Sequence, residues 1–458
     1  MTEFRRIDHA MRNTAQSIPT RREFLAASGL AVGTSCLPTS RSIACLLSRK
    51  RPRVAAIFTE FYYRSHAHVI LENFLEQYLF NGQLTDPGVD VVSFYADQLP
   101  EREMSREVAR KYKIPMFPTI DKALCMGGDK LAVDAVLSIG EHGNYPANAL
   151  GQKLYPRKRF FDEIVAVMKR SQRFVPVFND KHLSTSWLEA KAMFDEAQQL
   201  GIPLMAGSSV PLAERRQPLE FPSGTEFQEA VVVHGGSVEE YDFHGLELLQ
   251  SMIEVRSGGE TGIESVEFLA GDEVWRAADQ RRWSLDLAEA AMKAEFGRPL
   301  PSLKQLADES PVQPHAILLK YHDRLRAAIV KIGKTPIRWN FACRRAGRHE
   351  IEATSFYVGP WINRNLFGAL AHAIQHHFQQ GQSPYPVERT LMVSGVLEAA
   401  MRSRKLGAVV PTPELEWSYA PQDFKAMREF GSSWEILTED IPQPPGVDPL
   451  GAAKKRLL

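Results

Sequence analysis

Four polar side chains crowd the end of one apolar run in this 458-residue chain: residues 175–178 are followed by Asn179, Asp180, Lys181 and His182. A short apolar run of this kind, bounded by a helix pattern, reads as a buried strand. In open α/β sheets the carboxyl ends of strands are where ligands bind. A lysine, a carboxylate and an imidazole at one strand tip can hold an anion or move a proton. The plain alternative is an Asp180–Lys181 surface ion pair beside a loop histidine. A second polar tip follows residues 131–139 and carries Glu141, His142, Asn144 and Tyr145. A third follows residues 53–58 and brings His66 and His68, and Asp97 closes a run over 89–95. The fourth group lies further on, in Gly235-Gly236 followed by Glu240, Asp242, His244 and Glu247. On a helix Glu240 and His244 are i and i+4, so the carboxylate could orient the imidazole and tune it. The plain reading of that stretch is a helix start with a solvated acidic turn.

The elements that would position these groups alternate. Apolar strand patterns at 53–58, 89–95, 131–139, 175–178 and 202–206 are separated by helix patterns at 69–80, 101–113, 157–171 and 187–200. Ser184 or Thr185 can cap the last helix and Gly201 stops it. This order predicts a Rossmann-like parallel sheet with helices on both faces over 49–210. Beyond a polar, proline-bearing stretch at 211–221, strand patterns recur at 229–233, 263–269, 273–276, 316–321, 327–332, 337–342 and 349–357. They predict an α+β domain over 211–441 with a mostly antiparallel sheet. Helix patterns at 283–296, 366–378 and 390–404 accompany it, and a flexible tail is expected over 442–458. His372 and His376 have zincin spacing without the accompanying glutamate, so they read as helix-surface residues and no metal ligand set is assigned.

Length alone argues for more than one core. Lys and Arg together number 55, as do Asp and Glu, so net charge gives no case for nucleic acid as a partner. No run reaches the ~20 apolar residues of a membrane span. The four cysteines, Cys36, Cys45, Cys125 and Cys343, form no metal-ligand spacing and no disulfide framework. Arg21-Arg22 with Phe24-Leu25 and the mildly apolar residues 26–37 resemble a twin-arginine export signal. That resemblance implies the twin-arginine export machinery as a partner and a periplasmic location, with residues 1–48 outside the fold. Gly33 and Ser42, three positions before Cys36 and Cys45, do not suit a lipobox.

The region from 53 to 207 resembles the N-terminal half of the Gfo/Idh/MocA (glucose-fructose oxidoreductase / inositol dehydrogenase) superfamily. The likeness rests on Lys113-Ile114-Pro115 with Thr119 to Leu124, on Val133-Asp134-Ala135-Val136, on Val177-Phe178-Asn179-Asp180-Lys181, and on Leu204-Met205-Ala206-Gly207. Lys181 matches the family's active-site lysine, with Asp180 in place of Glu and His182 in place of Pro. The family's second motif, G-G-x-x-x-D-x-G-x-H-x-x-D, matches the spacing of Gly235, Gly236, Glu240, His244 and Glu247, with Asp242 in place of a glycine. His244 then corresponds to the catalytic histidine. The resemblance implies NAD(P) as cofactor, Asp97 as the ribose acid, and Glu141, His142 and Asn144 near the cofactor. It further implies a small carbohydrate-like substrate met by His66, Asp180, His182 and Glu247, and a homo-oligomer formed through the second sheet. The dinucleotide fingerprint departs from this pattern. Its three glycine positions hold Phe58, Glu60 and Tyr63, with His66 at the histidine position. Those glycines let backbone N–H groups approach a pyrophosphate. Two aromatic rings and a carboxylate there speak against NAD(P) in its usual pose.

Three functions therefore stay open on the sequence. One is an exported oxidoreductase on a sugar, cyclitol or related polyol, with Lys181, His244 and Glu240 at the chemistry. A second is a nucleotide-free relative whose histidines and carboxylates bind carbohydrate or metal, for lyase, epimerase or hydrolase chemistry or for binding alone. The third is an inactive scaffold used for interaction.

Overall fold

The computed structural model describes residues 50–448, apart from 299, 301, 336, 360–365, 439, 440, 442, 443 and 445. The export-signal segment lies outside the described residues. In the first layer β1 (Arg53–Phe58) is apolar on both faces and sits mid-sheet, buried from Val54 onward. Helix α1 (His66–Leu75) begins at Ser65, whose hydroxyl accepts from the His68 N–H. The sequence pattern suggested a helix running to residue 80, but it stops at Leu75, and β2 (Tyr78–Phe80) pairs with β3 (Gln83–Thr85). The turn between them is Asn81-Gly82, both at positive φ (48° and 75°), the pair of left-handed residues that a tight hairpin needs.

Then come β4 (Asp90–Ala96), α2 (Ser105–Tyr112), α3 (Ile120–Leu124), β5 (Ala135–Ile139), α4 (Arg157–Ser171), β6 (Val177–Asp180), α5 (Trp187–Leu200) and β7 (Leu204–Gly207). The strand order is β4-β1-β5-β6-β7, every pair parallel. The order reverses between β1 and β5, so the switch-point crevice lies at their carboxyl ends. The N-cap of α5 is Ser186 rather than Ser184 or Thr185. Its first helical N–H, that of Trp187, donates to Glu398 instead of a local hydroxyl.

The second layer starts with β8 (Glu214–Arg215), β9 (Phe227–His234) and α6 (Glu240–Ile253). It continues through β10 (Ile263–Ala270), α7 (Asp272–Asp279), α8 (Leu285–Phe296), α9 (Leu303–Asp308), β11 (His315–Tyr321), β12 (Arg326–Lys331), β13 (Trp339–Arg345) and β14 (Ile351–Tyr357). Helices α10 (Leu366–Gln380) and α11 (Val387–Leu406), strand β15 (Val410–Pro411) and helix α12 (Ser432–Ile436) complete the chain. The order β15-β10-β11-β12-β9-β13-β14-β8 is antiparallel throughout, except where β12 and β9 run parallel. This is the mostly antiparallel α+β sheet expected from the alternating patterns. The run 273–276, which reads as a strand, lies inside α7: Asp272 and Glu273 sit in its positive first turn and Val274, Trp275 and Ala277 form its buried face.

Both faces of this sheet are covered. Along β9, Ala230 and Val232 face one core with α6, while Val231 and Val233 face another with Leu287, Ala288 and Met292 of α8. Helix α11 packs on α5 and β7 of the first layer and on α6 and β10 of the second. Part of the tail segment is docked: Val447 is buried and its carbonyl accepts from His68 Nε2 at 2.8 Å.

Candidate functional site

The tips of β5, β6 and β7 meet the first turn of α6. Strand β6 carries Asn179 and Asp180 as its last residues, and Lys181 follows with a left-handed backbone (φ 69°). A non-glycine residue there is strained by about 1–3 kcal/mol. The turn aims the Lys181 ammonium at the Glu141 carboxylate (3.6 Å) and the Glu240 carbonyl (3.4 Å). Both contacts are long, so an ammonium with three donors keeps capacity for a ligand. His142 on the β5 tip is likewise left-handed (φ 70°), and so is Glu239 at the N-cap of α6 (φ 70°).

Charges around Lys181 are paired in a chain. Glu141 is fixed by Arg157, whose guanidinium also donates to His182 Nε2 at 3.1 Å. Burial raises the Glu141 pKa, but Lys181 and Arg157 outweigh it and hold the carboxyl well below its usual range. Receiving that N–H makes His182 a neutral ring, in keeping with a pKa lowered by burial and by Arg157; Glu239 Oε1 lies 3.5 Å from it. His66 Nδ1 donates to Asp180 Oδ2 at 2.7 Å, which leaves Nε2 as the nitrogen free to exchange a proton with a ligand. The His142 ring lies 5.2 Å from that of His66, and its Nε2 is buried with no hydrogen-bond partner. Burial, and then repulsion from a proton on the neighbouring His66 ring, lower the His142 pKa to about 4.

His244 projects from the second turn of α6, and Ser208, just beyond β7, meets its Nδ1 at 2.6 Å. The Ser208 oxygen accepts from the Val210 N–H, so its own proton can go to the imidazole. Burial, then the charges of Lys181 and His66, keep His244 neutral, well below its ordinary pKa. Glu240 does not touch this ring: its carboxylate is exposed and accepts from Ser237 Oγ at 3.1 Å. Glu247 lies one turn deeper, accepting from Thr390 Oγ1 at 2.7 Å.

Asp242 holds the helix start in place. Its Oδ2 accepts from the Glu239 N–H, while Oδ1 lies 2.7 Å from His315 Nε2 and 3.0 Å from His234 Nε2. The ligand-type atoms of these three residues lie within 4.8 Å of one another, which raises the question of a metal. The Gly236 N–H donates to His234 Nδ1 at 3.3 Å, so the ring proton is on Nε2, facing Asp242. A proton already fills the position a cation would need, and Asp242, hydrogen-bonded to His315 and to the Glu239 N–H, anchors the start of α6.

NAD(P) would need the crevice between β1 and β5, and the residues there do not fit it. Thr59 bridges the two strands, its N–H donating to the Ile139 carbonyl and its hydroxyl to the Glu141 carbonyl. Phe58, at the first glycine position, is fully buried and stands edge-to-face with Phe61 at 5.6 Å, where the fingerprint needs bare backbone. Glu60 is buried and ion-paired to Arg102 at 3.2 Å. Ser65 Oγ takes the N–H groups of His68 and Tyr62, two donors that a pyrophosphate would use. Asp97 is spent as well: its oxygens accept from Tyr95, Tyr145 and Arg159, and those three donors hold its pKa down against burial.

Of the residues singled out in the sequence, Lys181, Asp180, His66, Glu141, His142, His182 and His244 come together. Asn144 is exposed, and only its backbone is engaged, with the Gln98 side chain. Asp97 and Glu247 lie in networks of their own. Sequence reasoning missed Arg157, Glu239, Ser208 and Thr59. Only Glu239 carried a signal: with Asp242 three residues on, it forms a reciprocal capping box.

No family model matches this sequence, and no curated protein sequence matches it. Solved structures do. GenD2 from gentamicin A biosynthesis, in complex with NAD, is 13% identical, with 84% of this chain and 99% of that one aligned at a TM-score of 0.50. A putative NADPH-dependent oxidoreductase from Desulfitobacterium hafniense is 12% identical over 81% of this chain and 100% of that one (TM-score 0.48). A putative myo-inositol dehydrogenase from Sinorhizobium meliloti is 11% identical over 79% and 99% (TM-score 0.46). At such identities the likeness speaks to fold, and the first of these carries it. The class is a Rossmann-like parallel sheet joined to a mostly antiparallel one. More particularly, it is the fold of the Gfo/Idh/MocA dehydrogenases, as the motifs implied.

Proposed function

We propose that this chain binds a sugar- or polyol-type small molecule at the tips of β5–β7 and moves a proton on it without a dinucleotide. The observation that carries this is the convergence of three left-handed non-glycine residues, His142, Lys181 and Glu239, around one buried charge cluster. Strain of that kind persists where surrounding structure over-determines it, and it concentrates at functional sites.

The residues divide the work. The Lys181 ammonium, loosely held by Glu141, suits an oxyanion developing on a carbonyl oxygen. Asp180 fixes the His66 tautomer and stabilises the imidazolium that forms when its Nε2 takes a proton. His142 and His244 are neutral at pH 7 and can each accept or relay a proton. In the step proposed, His66 takes a proton from a hydroxyl-bearing carbon beside a carbonyl. The C–H electron pair moves into the enediolate; His66 passes the proton to the neighbouring His142 ring, which delivers it to the other face of the same carbon and inverts it, so that each ring ends as it began.

Two experiments test this. Denatured, pure protein is assayed for released NAD(P); nicotinamide near one per chain would overturn the nucleotide-free reading. Folded protein is incubated with keto-sugars in D2O and the carbon next to the carbonyl is followed by NMR. Exchange is expected in the native chain and not in Lys181→Met. An oxidoreductase reading is favoured by one observation, that the Lys181 charge acts on His244 within the same cluster, and the nucleotide assay decides between the two.

A further inference from the structure

A cavity of about 430 Å3 lies in the second layer, among the 215–225 loop, the end of α6 and residues 421–428, and shares no residue with the strand tips. Two guanidinium groups line it, Arg215 of β8 and Arg428, their side chains only 5% and 3% exposed. Between them stands a single carboxylate, Glu220, itself 45% exposed. Glu220 Oε2 accepts from Arg215 at 2.9 Å and Oε1 from Arg428 at 2.6 Å. The Nε atoms of both arginines are buried without a hydrogen-bond partner. Lys425 and Asp423, both exposed, also line the cavity, so its charges are three positive and two negative.

Two buried cations placed side by side repel one another: Arg428, after burial itself, lowers the Arg215 pKa to about 9. A fold gains nothing from that repulsion unless an anion sits between the pair, and here that anion is a side chain exposed to water on a polar loop. Arginine forks match carboxylate and phosphate oxygens alike, and two forks with two unused Nε donors exceed what one carboxylate satisfies.

We propose that this cavity is a binding site for a tetrahedral oxyanion, the phosphate or sulfate group of a small molecule, seated between Arg215 and Arg428 in the place that the Glu220 carboxylate occupies. Glu220 is then a built-in competitor that swings out when the ligand enters, and Lys425 meets the ligand at the mouth.

The test is calorimetric titration of the full chain with sodium phosphate against sodium chloride of equal ionic strength, in three forms. Native protein is expected to bind phosphate saturably. Glu220→Gln removes the competitor and is expected to tighten binding about tenfold, the loss of a competing charged hydrogen bond. Arg428→Gln is expected to abolish it. Absence of binding in Glu220→Gln, or unchanged binding in a folded Arg428→Gln, overturns the site. Should Arg428→Gln not fold, thermal unfolding of Glu220→Gln decides: phosphate is expected to raise its Tm more than that of native protein, and an equal or smaller rise refutes the proposal. Glucose 6-phosphate in place of phosphate separates the sources: tighter binding identifies an ester ligand, equal binding a free oxyanion.

Discussion

Lowering the pH from 7 to 5 should cost this fold much of its stability, because several histidines are buried where a proton is costly to hold. His68 is held down to about 3, chiefly by burial and then by Arg64; His142, His372 and His377 are each lowered to about 4, chiefly by burial. In the unfolded chain each returns to its ordinary value of 6.5. The folded pKa is therefore the lower one, the unfolded state binds more protons, and stability falls as pH drops from 6.5 towards 4. Between pH 7 and 5 each such histidine takes away about 2 kcal/mol, and the four together about 7. Glu254 works the other way: burial raises its pKa to about 7, so it regains about 2 kcal/mol as it protonates. The net loss of about 5 kcal/mol is comparable to the whole stability of many proteins. Urea unfolding at pH 7, 6 and 5, followed by far-UV circular dichroism and tryptophan fluorescence, measures it. His68→Gln keeps a donor for the Val447 carbonyl without the titration, and its loss between pH 7 and 5 should be about 2 kcal/mol smaller. A stability constant within about 1 kcal/mol over this range, or an unaltered slope in His68→Gln, would refute the reasoning.

Other substitutions probe separate parts of the argument. Asp242→Asn weakens the hydrogen bond from the buried His315 imidazole, the close approach of His234 and the capping box, and should lower the unfolding free energy by about 2–3 kcal/mol in the same urea assay. Lys181→Met should cut deuterium exchange into a bound keto-sugar at least ~100-fold while Tm holds or rises, since a buried ammonium with only long contacts gives way to an apolar chain. A fall in Tm alongside retained exchange would assign Lys181 a structural role. Gly262→Ala places a Cβ about 2.6 Å from the Leu415 carbonyl at a φ of +92°, so Tm should fall by several degrees, a cost of about 1–3 kcal/mol.

The alternation of strand and helix patterns made the first layer legible, because a parallel sheet buried on two faces leaves an apolar run at each strand; in the mostly antiparallel second layer one such run, 273–276, belongs to a helix. The polar residues that end those runs were equally visible, and Lys181, His142 and His66 do meet. What stayed hidden was contact between residues far apart in the chain. Arg157 looks like the start of a basic helix, and nothing local says that it is buried between Glu141 and His182. Ser208 follows a strand like any other serine, yet it is the partner of His244. Helical spacing points to Glu240 as the i,i+4 partner of His244, whereas the carboxylate that lies beside the cluster is that of the N-cap Glu239, 3.5 Å from His182. The hairpin at 78–85 was legible from Asn81-Gly82, but the apolar period of the preceding helix ran on through Tyr78 and Phe80.

Helix α11 belongs to neither sheet alone. It lies against α5 and β7 on one side and α6 and β10 on the other, and its Arg389 is buried between Glu247 and Glu254 of α6 at 3.5 and 3.2 Å. Parting α11 from α6 would strand that charge, at a cost of about 3–5 kcal/mol before any apolar surface is counted. Helix α11 is therefore expected to travel with the second layer, and amide protons where α6 and α11 face each other should be among the slowest of the chain to exchange with solvent.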